Sequence, residues 1–597
     1  MAGLQADKDI IAGLAEAQRD EVELEKKGIS PTSSTHSHDL DGIHDGLEFP
    51  TEEEKKTLRH VADTLPWAAY LIAVCELAER FSYYGTTVVF TNFIQQPLPA
   101  GSKTGADIKQ AGALGLGQRA STGIGTFNSF WVYVIPLFGA YIADTRWGRF
   151  KTICVSIAVA ILGHILLVIS AVPGVIEKPH NSLACFVIAI IVMGLGTGGF
   201  KSNISPLVAE QYKRSKLFIG HTKSGERVIV DPVMTTSRIY MYFYLFINVG
   251  SLIGQVGMVY SEKYVGFYLA YTLPTIVFLI CPIVLFFGRN MYQRSPPQGS
   301  VLSGALRIWR LSMKGRWTLN PVQLVKNMNA PDFWEAAKPS NWQGETRPAW
   351  MTFDDQWVDE VKRGFKACAV FCWFPIYWLT YNQLNNNLTS QAATMVTNGL
   401  PNDVLSNLDP FALIIFIPIF DILIYPALRR AKINFTPLKK ITLGFFLGAA
   451  AMVWAAVVQH YIYKRNPCGY YVSTCADADG NPITSDLNVW IQTGSYVLIA
   501  FSEIFASITG LEYAFTKAPK NMRSLVMSVF LFMSAISSAL GEAFVSLSAD
   551  PLLVWNYGSM GVLAFVAGVI FWIQFRHLDT IEDELNHLDV GRFDEKH

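Results

Sequence analysis

The chain carries little charge and no excess of either sign. Only 16% of its 597 residues are charged, and 48 basic residues cancel 48 acidic ones. That balance gives no argument for nucleic acid or for a strongly acidic partner. No metal-ligating cluster, nucleophile triad or phosphate-binding glycine loop is evident, so neither an enzyme nor a bound cofactor or metal is expected. The polar first 60 residues hold no signal-peptide core, and the first apolar segment is expected to serve for insertion. What the chain has in excess is apolar surface, at 51% hydrophobic residues. Twelve stretches are long enough to cross roughly 30 Å of hydrocarbon. They lie at 64–95, 121–143, 152–172, 183–208, 238–260, 265–288, 366–388, 409–428, 439–462, 488–514, 522–546 and 553–576. The expected class is an all-α membrane protein of twelve transmembrane helices.

Loop composition predicts the orientation. The segment Arg429–Lys440 holds Arg429, Arg430, Lys432, Lys439 and Lys440, whereas Leu384–Leu408 has no Lys or Arg. Loops after even-numbered spans are the basic ones, which places them and both termini in the cytoplasm. The organisation expected is a cytoplasmic tail (1–60), a six-helix half (61–288), a cytoplasmic linker (289–365), a second six-helix half (366–577) and a C-terminal tail (578–597). The N-terminal tail is acidic and polar, with the composition of a disordered segment. Trp309, Trp317, Trp334, Trp342, Trp350 and Trp357 sit among basic residues in the linker, a composition suited to amphipathic helix on the inner membrane surface. Lys216–Val230 alternates about Ser224-Gly225 and reads as a β-hairpin.

Three charges interrupt the first span: Glu76, Glu79 and Arg80. With Tyr83 and Tyr84 they fall at i, i+3, i+4, i+7 and i+8, one helical face. Charge at bilayer depth costs about 3 kcal/mol on insertion scales, so such a face lines a cavity or a buried network and not lipid.

Twelve helices in two halves joined by a long inner loop is the arrangement of major facilitator transporters, whose substrate site lies near the midplane between the halves. Glu76-Leu-Ala-Glu-Arg-Phe-Ser-Tyr-Tyr-Gly85 resembles the helix 1 signature, ExxERFxYYG, of the proton-dependent oligopeptide transporter (POT/PTR) family. Gly196-Thr-Gly-Gly-Phe-Lys-Ser-Asn203 resembles that family's helix 4 segment with its buried lysine. Phe243-Tyr-Leu-Phe-Ile-Asn-Val-Gly-Ser251 is similar to its helix 5 signature. Phe501–Tyr513 resembles the acidic helix 10 segment, and Ala518–Ser524 the turn after it. The resemblance covers about 64 to 576, and the two cytoplasmic insertions and the Cys-bearing loop look like fungal members.

A peptide zwitterion in a low-dielectric cavity needs a cation for its carboxylate and an anion for its ammonium. The resemblance implies the carboxylate toward Arg80 and Lys201 and the amino group toward Glu503. Arg holds a carboxylate bidentately, while Lys acts as a point charge. Asn248 would bond the peptide backbone; gluing two helices together is the other use of such a residue. Tyr83, Tyr84 and Tyr133 would add hydroxyls and ring faces. Phe530 and Ser534 align with further pocket positions, although by sequence alone Phe530 reads more as core than as site. Glu76, Glu79 and Glu503 are the expected proton carriers: when substrate competes for Arg80, its glutamates lose their partner and take up protons.

Gly139–Arg149 carries the general transporter feature after helix 2, with Asp144, Arg146 and Arg149 expected to latch the inner side. Asp421 with Arg429 and Arg430 looks like its counterpart after helix 8. The family's outer ion pair between helices 1 and 7 is missing, its positions being Thr87 and Asn382, which are expected to gate by contact instead. Animal members place a His where this chain has Thr126. Asp409 replaces a common Asn, and either meets peptide amino group or proton or caps a helix; the role of Glu512 is open. Cys468 and Cys475 lie in Lys464–Leu487 on the expected outer side, where a disulfide is allowed and two free thiols fit as well. Asn387-Leu-Thr389 is a glycosylation sequon on the same side; Asn203 and Asn434 head inner-side sequons expected to be unused.

The function expected is a proton-coupled symporter that imports di- and tripeptides by alternating access at the plasma membrane, as a monomer in the lipid bilayer. A carrier of nitrate or of an amino-acid conjugate, and a peptide sensor that does not transport, are the alternatives. A simple anion gives Glu503 nothing to bind.

Overall fold

The computed structural model describes residues 47–577, less 215–216, 223–224, 295–296, 298–300, 319, 329, 331, 343–350, 352, 385, 433–434, 479–481, 511–512 and 514–522. Residues 1–46 of the expected 1–60 tail, the expected tail 578–597, Glu512, Asn434 and Trp350 fall outside the described residues.

Long helices dominate. In chain order they are α1 Trp67–Val88, α2 Gly117–Ile142, α3 Arg149–Ala171, α4 Pro179–Ala209, α5 Pro232–Tyr264 and α6 Phe267–Gly288. After the linker come α7 Phe374–Tyr381, α8 Leu408–Ile419, α9 Pro437–Arg465, α10 Thr493–Ser502, α11 Arg523–Glu542 and α12 Leu553–Phe575. Among the described residues, seven helices are long and apolar enough to cross a membrane by themselves: α2, α3, α4, α6, α9, α10 with its flanks, and α12. Of the other expected spans, α5 and α11 are continuous helices of 33 and 20 residues, whereas the first and seventh are interrupted. Three charges break the apolar run of α1. The stretch 366–388 is divided, with 3-10 turns at Ala369–Trp373 and Asn382–Leu384 flanking α7. Pro375 sits at the start of α7, where its missing N–H leaves no ladder bond unmade.

Among the described residues three π-helical segments occur, each following a helix: Ala143–Trp147 after α2, Phe420–Ile424 after α8 and Glu503–Ile508 after α10. Such wide turns concentrate at functional sites. All three hold motif acids, Asp144, Asp421 and Glu503.

Of the large buried apolar clusters, two are built from α1–α6 and two from α7–α12. Within the first group α1 and α5 meet along glycines. A Cβ at Gly250 would stand 2.4 Å from the Leu77 carbonyl oxygen, and one at Gly254 2.4 Å from that of Phe81. Close backbone approach through small residues is how membrane helices gain packing where lipid is as apolar as leucine. This seam fixes the rotation of α1, and with it the direction of Arg80.

The α4–α5 connection forms a β-hairpin, as its alternation predicts. Strand β2 (Phe218–His221) pairs antiparallel with β3 (Arg227–Val230), and β1 (His60–Val61) adds parallel to β3, in the order β1-β3-β2. The aromatic linker departs from the surface-helix expectation. Trp334 and Trp357 are buried with Phe333, Met351 and Phe353 in a small core of the linker's own. Enough apolar side chains are present to close a core, so Trp334 and Trp357 turn inward; Trp317 remains 64% exposed. At the other end of the bundle Cys468 and Cys475 form a disulfide, Cα to Cα 5.8 Å. These two ends are called below the hairpin end and the disulfide end.

Candidate functional site

The glycine seam turns the charged face of α1 away from the surface. Glu76, Glu79 and Arg80 are 1%, 2% and 1% exposed. Arg80 Nε donates to Glu76 Oε1 at 2.7 Å and stands 3.0 Å from Glu79 Oε2. One guanidinium thus serves two carboxylates, one helical turn and one residue away.

Arg80 also lines a cavity of about 170 Å³ enclosed between α1–α5 and α7–α12. On one side stand Tyr83, Tyr84 and Thr87 of α1, Thr126 and Tyr133 of α2, Lys201 of α4 and Gln255 of α5. On the other stand Tyr381, Asn382, Ser537, Ser538 and Asn556. The Tyr83 and Tyr84 rings meet edge to face at 5.3 Å, and the Arg80 guanidinium sits 6.0 Å from the Tyr84 centroid. Lys201 Nζ lies 5.1 Å from the centre of the Tyr133 ring, a contact that stabilises a cation out of water. Arg80, Tyr83, Tyr84, Thr87, Tyr133, Lys201 and Asn382 therefore share one chamber. Glu76 and Glu79 stand behind Arg80 and do not line it.

The remaining candidates lie outside this lining. Asn248 is half-buried on α5. Glu503 is fully buried at the start of its π turn, and Tyr381 bridges it to Asp409, donating to Asp409 Oδ2 at 3.3 Å and standing within hydrogen-bond reach of Glu503. Tyr381 itself faces the cavity, so it links the chamber to two buried carboxyls. Ser534 is buried, one turn before the lining residue Ser538, whose hydroxyl bonds its carbonyl. Phe530 is a correction. It packs against Phe371 and Phe374 at ring separations of 5.2 and 5.1 Å within a buried apolar cluster, so it serves as core.

At the hairpin end, Arg149 forms its ion pair with Glu210, at the C-terminal end of α4, with Asp144 half-buried nearby and Arg146 exposed. The side chains of Asp421 and Arg429 are outside the described residues. At the disulfide end neutral side chains make most of the contacts that shut the bundle. Asn92 and Asn402 exchange amide hydrogen bonds at 2.9 and 3.0 Å. Asn387 Oδ1 accepts from Gln118 at 3.0 Å and Thr122 at 3.2 Å, and Ser390 donates to Gln95. Asn387 is 1% exposed and its Nδ2 donates to Gln383 and Ser548. Its expected glycosylation is thereby corrected, since the amide nitrogen is engaged inside a contact that excludes an enzyme. None of these residues is charged, and apart from the sequon at Asn387 no sequence signal marks them.

Comparison with known proteins adds to this geometry. A bundle of long apolar helices around a buried, charged chamber defines a membrane carrier. The model of the POT family matches residues 150–561. A probable peptide transporter, ptr2, of Schizosaccharomyces pombe is 44% identical over 550 residues, 91% of this chain and 83% of its own length. The peptide transporter PTR2 of Saccharomyces cerevisiae is 39% identical over 568 residues, 94% of this chain and 88% of that one. Among solved structures, the POT family transporter PepTSo is 20% identical and covers 87% of this chain and 99% of its own at a TM-score of 0.66. An auto-inhibited POT family peptide transporter is 19% identical, covers 88% and 98% respectively, and scores 0.65. These two share the fold. The chain belongs to the POT family.

Proposed function

We propose that this protein is a proton-coupled symporter that imports di- and tripeptides across the plasma membrane by alternating access. The observation that carries the reading is the buried Glu76–Arg80–Glu79 group backing a chamber that Lys201 also enters. Two cations on one wall suit a peptide carboxylate. Glu503, reached through Tyr381, is the anion for the amino group. Tyr83, Tyr84 and Tyr133 hold side chains of varied size, and Asn248 and Ser534 support the pocket from behind. Substrate carboxylate competes with Glu76 and Glu79 for Arg80, and the released glutamates take up protons. No cofactor is needed, since the proton is the second substrate.

In this reading α1–α6 (61–288) and α7–α12 (366–577) are two six-helix halves of twelve spans, functional as a monomer. The linker and both termini face the cytoplasm. The disulfide end is then the outer side, closed here by its amide contacts, with Thr87 and Asn382 at the chamber roof. Asp144, Arg149 and Glu210 belong to the inner latch. The names of the fungal relatives support peptide as substrate.

The test is uptake of labelled dipeptide by purified protein in proteoliposomes, with and without an inward proton gradient. Accumulation above the outside concentration that collapses with a protonophore is expected. Binding without accumulation would favour a sensor, and uptake competed by nitrate but not by tripeptide would favour an anion carrier.

A further inference from the structure

The outer closure contains one element that its amides do not explain. Glu262, at the last turn of α5, and Asp403, in the 3-10 turn Asn402–Asn407 before α8, come from opposite halves of the molecule. They are 2% and 1% exposed. Asn92 Nδ2 donates to Glu262 Oε1 at 2.8 Å and reaches Asp403 Oδ2 at 3.4 Å. The two carboxyl groups are themselves within side-chain hydrogen-bonding reach of each other. Their other oxygens, Glu262 Oε2 and Asp403 Oδ1, are buried and have no donor among the described residues. Two carboxylates are acceptors only, and a hydrogen bond between them exists only when one carries a proton.

The charges around the pair do not remove this need. Lys263, from the same turn of α5, faces both acids and is also drawn to Asp107. Lys109 lines the same recess, and the Tyr271 hydroxyl faces Glu262 from α6. Two lysines, Lys263 and the exposed Lys109, against Glu262, Asp403 and Asp107 still leave the group one positive charge short. A recess of about 390 Å³ at the disulfide end is lined by Asn92, Glu262, Lys263 and Asp403, and gives the pair a path to the external medium.

We propose that Glu262 and Asp403 form a proton-binding site that locks the outer gate: closure brings the two carboxyl groups together only with one proton held between them. The inference rests on the alternating-access reading for its meaning, but not on which substrate is carried. With the proton bound, the pair joins α5 to the α7–α8 connection. Without it, two buried like charges face each other across the interface and push the halves apart. Buried carboxyls sharing a site titrate as a pair, one of them well above the ordinary carboxylate range. Burial raises the Asp403 carboxyl in the same sense. Closure is therefore favoured below the pair's upper transition and is lost as pH rises through it. The proton enters and leaves from the outer side, so it is distinct from the one carried with substrate. It makes the gate a sensor of external acidity.

The test reads conformation and needs no transport. Spin labels at exposed Lys103 and Thr484, in a background lacking the free cysteines, report separation across the disulfide end in nanodiscs by pulsed dipolar spectroscopy. In the parent, the short-distance population is expected to fall as pH is raised from 5 to 8. Asp403→Asn and Glu262→Gln each replace one acid by an amide that donates permanently, so each is expected to stay closed throughout. A parent whose distances ignore pH would overturn the proposal. So would a variant, of either site, that opens with the same pH dependence as the parent. Two variants on opposite halves keep the test open if one fails to fold. Failure of dipeptide accumulation with an intact pH response would instead count against the peptide reading alone.

Discussion

Replacing Arg80 by Gln removes the cation that Glu76 and Glu79 share at 2.7 and 3.0 Å, in a region where all three side chains are at most 2% exposed. Breaking a buried ion pair by deleting one partner costs about 3–5 kcal/mol, because the remaining charge has lost its water and gained nothing. That corresponds to a loss of roughly a hundred- to several-thousand-fold in the folded-to-unfolded ratio, at about 1.4 kcal/mol per decade. Much of this should return in the triple variant Glu76→Gln/Glu79→Gln/Arg80→Gln, where no charge is left and the three amides keep nearly the native shape. Transport should not return, because the triple variant has neither the carboxylate-binding cation nor the titrating acids. Thermal unfolding in detergent, read by intrinsic fluorescence, gives the stability series, and proteoliposome uptake gives the function. A triple variant as unstable as Arg80→Gln alone would refute the electrostatic argument. A triple variant that still accumulates dipeptide against a gradient would refute the functional one.

Gly254→Ala places a methyl group 2.4 Å from the Phe81 carbonyl oxygen and should cost about 1–3 kcal/mol by overpacking, whereas Gly257→Ala, with open space at its Cβ, should be close to neutral; melting temperatures of the two variants check this. Cys468→Ser should lose about 2–3 kcal/mol of loop-closure stabilisation for a bridge between residues 7 apart, and in the parent both thiols should resist alkylation until reduced. Asn387→Gln should leave electrophoretic mobility of protein from a eukaryotic host unchanged, since the side chain is buried. Asn387→Ala should lower the melting temperature, removing an acceptor shared by Gln118 and Thr122 at a cost of about 1–3 kcal/mol. A glycan released enzymatically from the parent and absent from Asn387→Gln would show that the outer contact is open during maturation.

The charged face of α1 was readable from sequence because three ionised side chains in an apolar run at helical spacing have few physical explanations. The hairpin was equally legible from its alternation about Ser224-Gly225. For Phe530 the residue itself, an aromatic on an apolar helix, pointed to core and only the family alignment to the pocket; Phe371 and Phe374 decide it as core. The break of the seventh span into 3-10 and α segments was hidden by its uniform apolarity, with Pro375 the only hint. Least visible were the gate contacts. Asn92 and Asn402 are 310 residues apart, and Gln118 and Asn387 are 269 apart. Each is an ordinary polar residue until the fold pairs it. Glu210, the partner of Arg149, was hidden for the same reason.

The neutrality of those gate pairs has a consequence for the medium in which the protein works. An ion pair at an exposed rim weakens as electrolyte rises, because a Debye length of about 10 Å at 0.1 M shrinks to about 3 Å at 1 M. The reciprocal amides of Asn92 and Asn402, and the Gln118–Asn387 bond, carry no net charge to be screened. Their strength does not follow the salinity outside. The amide part of the outer seal is therefore the same in dilute water and in brine, and the response to the medium falls to the Glu262–Asp403 pair beside it.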